Sequence, residues 1–204
     1  MSTKQVSWYE GGLIDIQQKS FWISIGWIVF NPLFWNIIAR TEHATRVLTK
    51  TFGSAHKGCY FLGALIFTIG LIRDHHYKQA LEYQPVYSAF EHPFVQLISK
   101  SIFALGSVLV GSSMWALGVT GTYLGDYFGI LMDKMVEGFP FNLFSSPMYD
   151  GSTLCFFGTA LSYRSPAGLL LSTIVYIMYQ IALRFEDPFT AKIYRERAAR
   201  LKSN

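Results

Sequence analysis

Charge is scarce in this chain. Only 15% of its 204 residues are Asp, Glu, Lys or Arg, against about 25% in soluble domains. So few charges cannot cover a water-facing surface, which excludes an ordinary soluble domain. Cysteine is scarcer still, at two residues. Cys59 and Cys155 both lie in apolar stretches, so neither a disulfide framework nor a metal site is expected. Adjacent His75 and His76 cannot comfortably share one metal, no Cys or carboxylate set completes a site, and the pair reads as part of a solvated loop. No Ser-His-Asp order or nucleophile elbow is found. No G-x-G-x-x-G follows a strand. The basic residues flank apolar runs instead of forming one stripe, which argues against a nucleic-acid partner.

What is present is apolar, and it is bunched. Hydrophobic residues make up 51% of the chain and aromatics 17%. Residues 20–39, 58–72, 101–125 and 165–183 carry no charge over 20, 15, 25 and 19 positions. A membrane span needs about 20 predominantly apolar residues, fewer where the ends snorkel. The chain therefore reads as an all-α polytopic membrane protein, and its net charge of +4 suits anionic lipid headgroups. The first apolar run is too long for a cleavable signal and is followed by "NIIARTEH", not by a small-residue cleavage site.

About five membrane segments are expected within one domain, 1–204, at residues 20–39, 58–72, 94–119, 151–163 and 166–185. Asn31-Pro32 sits in the middle of the first, which either crosses or re-enters. Segment 58–72 covers only about 22 Å, short of a core of about 30 Å. Arg164-Ser165-Pro166 reads as the turn of a C-terminal helical hairpin. On this topology 11 basic residues fall on one side, with the 126–150 loop and a 186–204 tail, and 5 on the other. The richer side is the cytosolic one.

Three stretches stand out chemically. Gly118, Gly121, Gly125 and Gly129 fall at helical spacing, which suits close helix packing or a ligand passing near the backbone. Asp126 and Tyr127 follow where that helix should reach the interface. "FPFNLFSSPMYDGST", residues 139–153, reads as an ordered interfacial loop anchored by Phe139, Phe141, Phe144 and Tyr149. Finally, Glu186 and Asp187 stand together at a membrane exit, where Pro188 should end the helix. Carboxylates at a membrane suit a cationic or polyhydroxyl ligand better than a phosphate.

"FNPLFWNIIARTEH" (30–43), "GTYLGDYFGIL" (121–131), "FPFN" (139–142), "PMYDGST" (147–153), "PAGLLL" (166–171) and "ALRFEDPFTAKIYR" (182–195) resemble the phospholipid N-methyltransferases. The smaller fungal members are the most similar. The resemblance covers roughly residues 30–198 and implies a multi-pass enzyme of the endoplasmic reticulum. It implies a cytosol-facing pocket for S-adenosylmethionine, no metal, and a bilayer phospholipid as substrate. The expected reaction converts phosphatidyl-N-methylethanolamine to the dimethyl lipid and then to phosphatidylcholine. An enzyme performing all three methylations is the alternative, as is a non-enzymatic lipid carrier on the same scaffold.

The family's Gly-x-Gly in the third segment reads here Ala104-Leu105-Gly106, and its Glu-Glu pair reads Glu186-Asp187. Those five residues, with Gly125, Tyr149 and Gly151, are the implied cofactor-binding set. Asp126, Tyr127 and Glu137 are candidates for deprotonating the headgroup amine. Lys134, Arg195 and Arg197 are candidates for the lipid phosphate.

Overall fold

A computed structural model describes residues 12–133 and 136–203. Six α-helices follow in order: α1 (Lys19–Thr45), α2 (Val47–Phe52), α3 (Ala55–Tyr83), α4 (Pro93–Thr122), α5 (Pro147–Ser162) and α6 (Pro166–Ser203). Short 3₁₀ turns occupy Ser88–Glu91 and Gly125–Phe128. Among the described residues, α1, α3, α4 and α6 are long and apolar enough to cross a membrane. At 16 residues α5 is about 24 Å long. It packs against both α4 and α6, as the first arm of the hairpin.

Proline placement explains where several helices begin. Pro93, Pro147 and Pro166 each stand in a first turn, where their missing N–H costs nothing and their fixed φ suits helix. Two other prolines sit inside helices. α1 continues unbroken through Pro32, so it neither breaks nor re-enters there. α6 continues through Pro188 to Ser203, which corrects the expected helix stop. The tail from residue 186 is the last part of the same helix. The Phe185 carbonyl, next to the one Pro188 cannot bond, accepts from Arg40 Nη2 at 2.8 Å.

α3 is also longer than its uncharged run. It spans 29 residues, about 43 Å, and includes His75 and His76, which are helical and not in a loop. Arg73 makes this possible by staying paired. Its guanidinium meets Asp74 at 2.9 Å, donates to the Tyr179 hydroxyl at 2.7 Å, and lies 4.8 Å from the Phe156 ring centre.

The glycines do not form one stripe. Gly118 has φ 65 and ψ −178, a kink inside α4 in a region open essentially to glycine alone. Gly125 and Gly129 then lie beyond the helix end. The close approach occurs elsewhere, where α4 meets α5. A Cβ on Gly106 would stand 2.5 Å from the Gly151 carbonyl oxygen, and one on Gly151 would stand 2.7 Å from the Gly106 carbonyl oxygen. Only bare backbone allows this contact, as is common between membrane helices.

One core packs Trp35 of α1, Tyr77 of α3, Phe156 of α5, and Leu171 and Tyr179 of α6. A second joins Ala39, Cys59 and Leu62 to Tyr127 and Phe128. The outside is apolar as well: Trp22, Phe67, Phe94 and Val108 are more than half exposed, and Trp115 is 90% exposed. In water that surface would drive aggregation; against lipid it is the expected exterior.

Candidate functional site

Glu186 is buried on α6, and three neutral donors hold its carboxylate. Trp35 Nε1 and Asn36 Nδ2 each donate to Oε1 at 2.7 Å, and the Tyr149 hydroxyl donates to Oε2 at 2.6 Å. Two of these groups come from α1 and one from the first turn of α5. No Lys, Arg or His ion pair with Glu186 is found among the described residues. A buried carboxylate without a cation is costly, and these donors offset part of that cost. Such an arrangement can accept a cationic ligand.

The two acids part company here. Successive residues on a helix point about 100° apart, so with Glu186 inward Asp187 faces outward and is exposed. Among the described residues, its carboxylate has no hydrogen bond to the cluster around Trp35 and Tyr149, whose donors go to Glu186.

One turn further along α6, a second layer forms. Phe189 stacks on Tyr127 at 4.9 Å and 18°, with the His43 ring edge-on to Phe189 at 5.1 Å. The Arg40 guanidinium lies 4.6 Å from the Phe189 ring centre. Asp126 accepts from Thr190 at 2.6 Å, which ties the 3₁₀ turn after α4 to α6. Asn36, Arg40 and His43 are spaced i, i+4, i+7 and so share one face of α1. Asn36 Oδ1 and His43 Nδ1 are buried and lack a hydrogen-bond partner. Orphaned polar atoms are rare in folded proteins and call for an explanation. Both lie on the face of α1 that packs against Glu186 and Phe189.

The remaining expected residues fall into distinct places. Gly106 and Gly151 form the α4–α5 contact, two residues from Tyr149 along α5. Gly125 is buried at the start of the 3₁₀ turn that carries Asp126 and Tyr127. Ala104 and Leu105 are exposed on α4, turned away from the contact that Gly106 makes. Glu137 is exposed in the loop before α5. Arg195 is exposed on the end of α6, whereas Arg197 donates to the Met132 carbonyl at 2.9 Å and lies 3.5 Å from Asp133. Lys134 lies outside the described residues. Surface clefts of about 470 Å³, lined by Gln17, Ile23 and Tyr83, and about 460 Å³, lined by Tyr60, Phe67 and Tyr123, do not border Glu186.

Sequence reasoning missed Trp35, Asn36, Arg40, His43 and Glu42. All five lie in the quoted run 30–43, but nothing in a sequence says which of its residues face α6. Glu42 is fully buried and serves the fold: it accepts from Leu48 N at 2.6 Å and Thr49 N at 3.2 Å, fixing the first turn of α2.

Comparison with known proteins places this geometry in a family. The family model described as phospholipid methyltransferase matches residues 94–197. A phosphatidyl-N-methylethanolamine N-methyltransferase of Emericella nidulans is 55% identical over 90% of this chain and 90% of its own length. The protein of that name from Saccharomyces cerevisiae is 54% identical over 90% and 89%. A phosphatidylethanolamine N-methyltransferase of Rattus norvegicus is 46% identical over 93% and 96%. No solved structure is a significant match. With α5 and most of α4 and α6 inside the matched model and curated relatives aligned along nine-tenths of its length, the chain belongs to the phospholipid methyltransferase family.

Proposed function

We propose that this protein methylates phosphatidyl-N-methylethanolamine and then the dimethyl lipid, yielding phosphatidylcholine, with S-adenosylmethionine as donor. The observation that carries the reading is the buried Glu186 carboxylate, held by three neutral donors and lacking a cation. S-adenosylmethionine, when bound, supplies an activated methyl group on a sulfonium. Its α-ammonium, ribose diol and positive sulfur are what an unneutralised carboxylate favours. The orphaned Asn36 and His43 atoms on the same walls fit such a ligand.

The chain's own residues then have separable roles. Trp35 and Tyr149 fix the carboxylate of Glu186 in one orientation. The Gly106–Gly151 contact sets the position of α5, and with it the Tyr149 hydroxyl. Asp126, at the base of the Tyr127–Phe189 stack, accepts the proton that the headgroup ammonium must lose before its lone pair is available. Glu137, exposed in its loop, and Tyr127, with its ring packed between Phe189 and His43, suit that task less well. Arg195, exposed on the end of α6, meets the lipid phosphate. Positioning supplies most of the acceleration for such a transfer. The charge asymmetry of the chain supports a cytosolic site, and the family resemblance supports the endoplasmic reticulum membrane.

Relatives named for phosphatidyl-N-methylethanolamine stand at 52–55% identity, and those named for phosphatidylethanolamine at 45–48%. That difference favours the last two methylations over the full pathway. The test offers the unmethylated, monomethyl and dimethyl lipids separately to the purified protein. Methylation of the latter two at much higher rates is expected. Equal rates on all three overturn the assignment in favour of the complete pathway, and no methylation of any of them overturns the enzyme reading.

A further inference from the structure

Asn36 lies on α1, outside the span that the family model matches, yet it is bonded directly to the acid at the centre of the site. Its Nδ2 donates twice, to the Pro32 carbonyl at 3.1 Å and to Glu186 Oε1 at 2.7 Å. Both amide protons are thereby used, and both partners are acceptors. The opposite orientation would turn the amide oxygen toward two acceptors, so Oδ1 has to be the free end. That oxygen is buried and has no partner.

The carboxylate beside it also has capacity to spare. Oε1 takes two donors, but Oε2 takes only the Tyr149 hydroxyl. A carboxylate offers about four acceptor positions. One neutral acceptor and one charged acceptor, on side chains joined by the Nδ2 to Oε1 bond, therefore each have capacity for a donor. Their complement is a cationic nitrogen with at least two N–H groups. A lipid headgroup nitrogen fits poorly, because it loses an N–H with each methylation and has to be neutral to react. The α-ammonium of the methyl donor keeps three N–H groups throughout.

We propose that Asn36 Oδ1 and Glu186 Oε2 together hold the α-ammonium of S-adenosylmethionine, making Asn36 a cosubstrate ligand contributed by the first helix. The proposal rests on the cosubstrate assigned above, and its test separates the two. Full-length protein in detergent is titrated with S-adenosylhomocysteine and with 5′-methylthioadenosine, which has the adenosine and sulfur but no amino acid. Binding of S-adenosylhomocysteine to the unaltered protein checks the cosubstrate itself. Asn36→Leu is then expected to weaken S-adenosylhomocysteine about ten-fold or more and to leave 5′-methylthioadenosine unchanged. Asn36→Ala, which adds no bulk, should give the same selective loss and serves if the leucine variant does not accumulate. Equal weakening of both ligands would mean that Asn36 only supports the fold, and overturns the proposal. A raised KM for the monomethyl lipid with S-adenosylhomocysteine affinity unchanged would assign the two acceptors to the headgroup, and also overturns it. So does no change in either ligand.

Discussion

Replacing Glu186 by Gln should pull binding and stability apart. The amide has the shape of the carboxylate and can preserve its contacts. Its oxygen accepts from Trp35 and Asn36, and its nitrogen donates to the Tyr149 hydroxyl, which turns to accept. What disappears is the charge. In the free protein, three charge-assisted bonds contribute about 4–9 kcal/mol, against a desolvation penalty of several kcal/mol for a buried carboxylate. These nearly cancel, so the unfolding midpoint should move by less than about 4 °C. Bound cosubstrate loses a charge-assisted bond of about 1.5–3 kcal/mol, so its Kd should rise roughly ten- to 150-fold. Calorimetric titration of S-adenosylhomocysteine, with a thermal unfolding scan of the same samples, measures both. An unchanged Kd together with a steep fall in the midpoint would show that the carboxylate serves the fold, and would refute the ligand argument.

Asp187→Asn is expected to be nearly silent in affinity and in stability, because Asp187 faces outward from the cluster; a loss comparable to that of Glu186→Gln would require both acids to face the ligand. Gly106→Val should destabilise the fold by an amount typical of overpacking, about 1–3 kcal/mol, read as a lowered thermal midpoint, since even its Cβ would meet the Gly151 oxygen at 2.5 Å and the Cys155 nitrogen at 2.9 Å. The residual folded protein should also bind S-adenosylhomocysteine less tightly, as α5 carries Tyr149. Single cysteines at exposed Ser145 and Ala198 should label from the same side of sealed vesicles with an impermeant thiol reagent, and labelling from opposite sides would break the α5–α6 hairpin topology.

Much of the fold was legible because lipid imposes a simple rule: long uncharged runs must become helices. The hairpin was legible for a similar reason, since Pro166 disfavours helix in the residue before it, and the chain does turn at Arg164, φ 57. What stayed hidden depends on partners distant in sequence. Pro188 reads as a stop, but α6 runs on through it, with Arg40 of α1 donating to the nearby Phe185 carbonyl. Arg73 reads as a helix exit, but Asp74, Tyr179 and Phe156 accommodate it and α3 continues for ten more residues. The glycine spacing was plain, yet the kink at Gly118 removes the regular helix that the spacing presupposes. In the site, Glu186 was visible as a charge at a membrane exit. Its separation from Asp187 follows from helix rotation, and two of the three donors that hold it, Trp35 and Asn36, lie about 150 residues away.

That distance gives α1 a role that can be measured. Both donors to Glu186 Oε1 come from it, so the link between α1 and α6 should appear as an energetic coupling. Trp35→Phe keeps an aromatic ring beside Tyr149 and Tyr179, whose ring centres each lie 6.4 Å away, and removes the indole N–H. With the carboxylate present, the lost bond is charge-assisted, and the cost should be about 1.5–3 kcal/mol. With Gln at position 186 the same N–H faces a neutral oxygen, and its loss should cost about 0.5–1.5 kcal/mol. The cycle formed by the two single variants and their double variant should therefore show a coupling of about 1–1.5 kcal/mol, above the usual additivity error of about 0.3–0.5. Unfolding of all four proteins in one detergent, followed by near-ultraviolet circular dichroism, reads it. Strict additivity would mean that the indole packs against α6 without holding the carboxylate, and the preorganised acceptor would lose its main support.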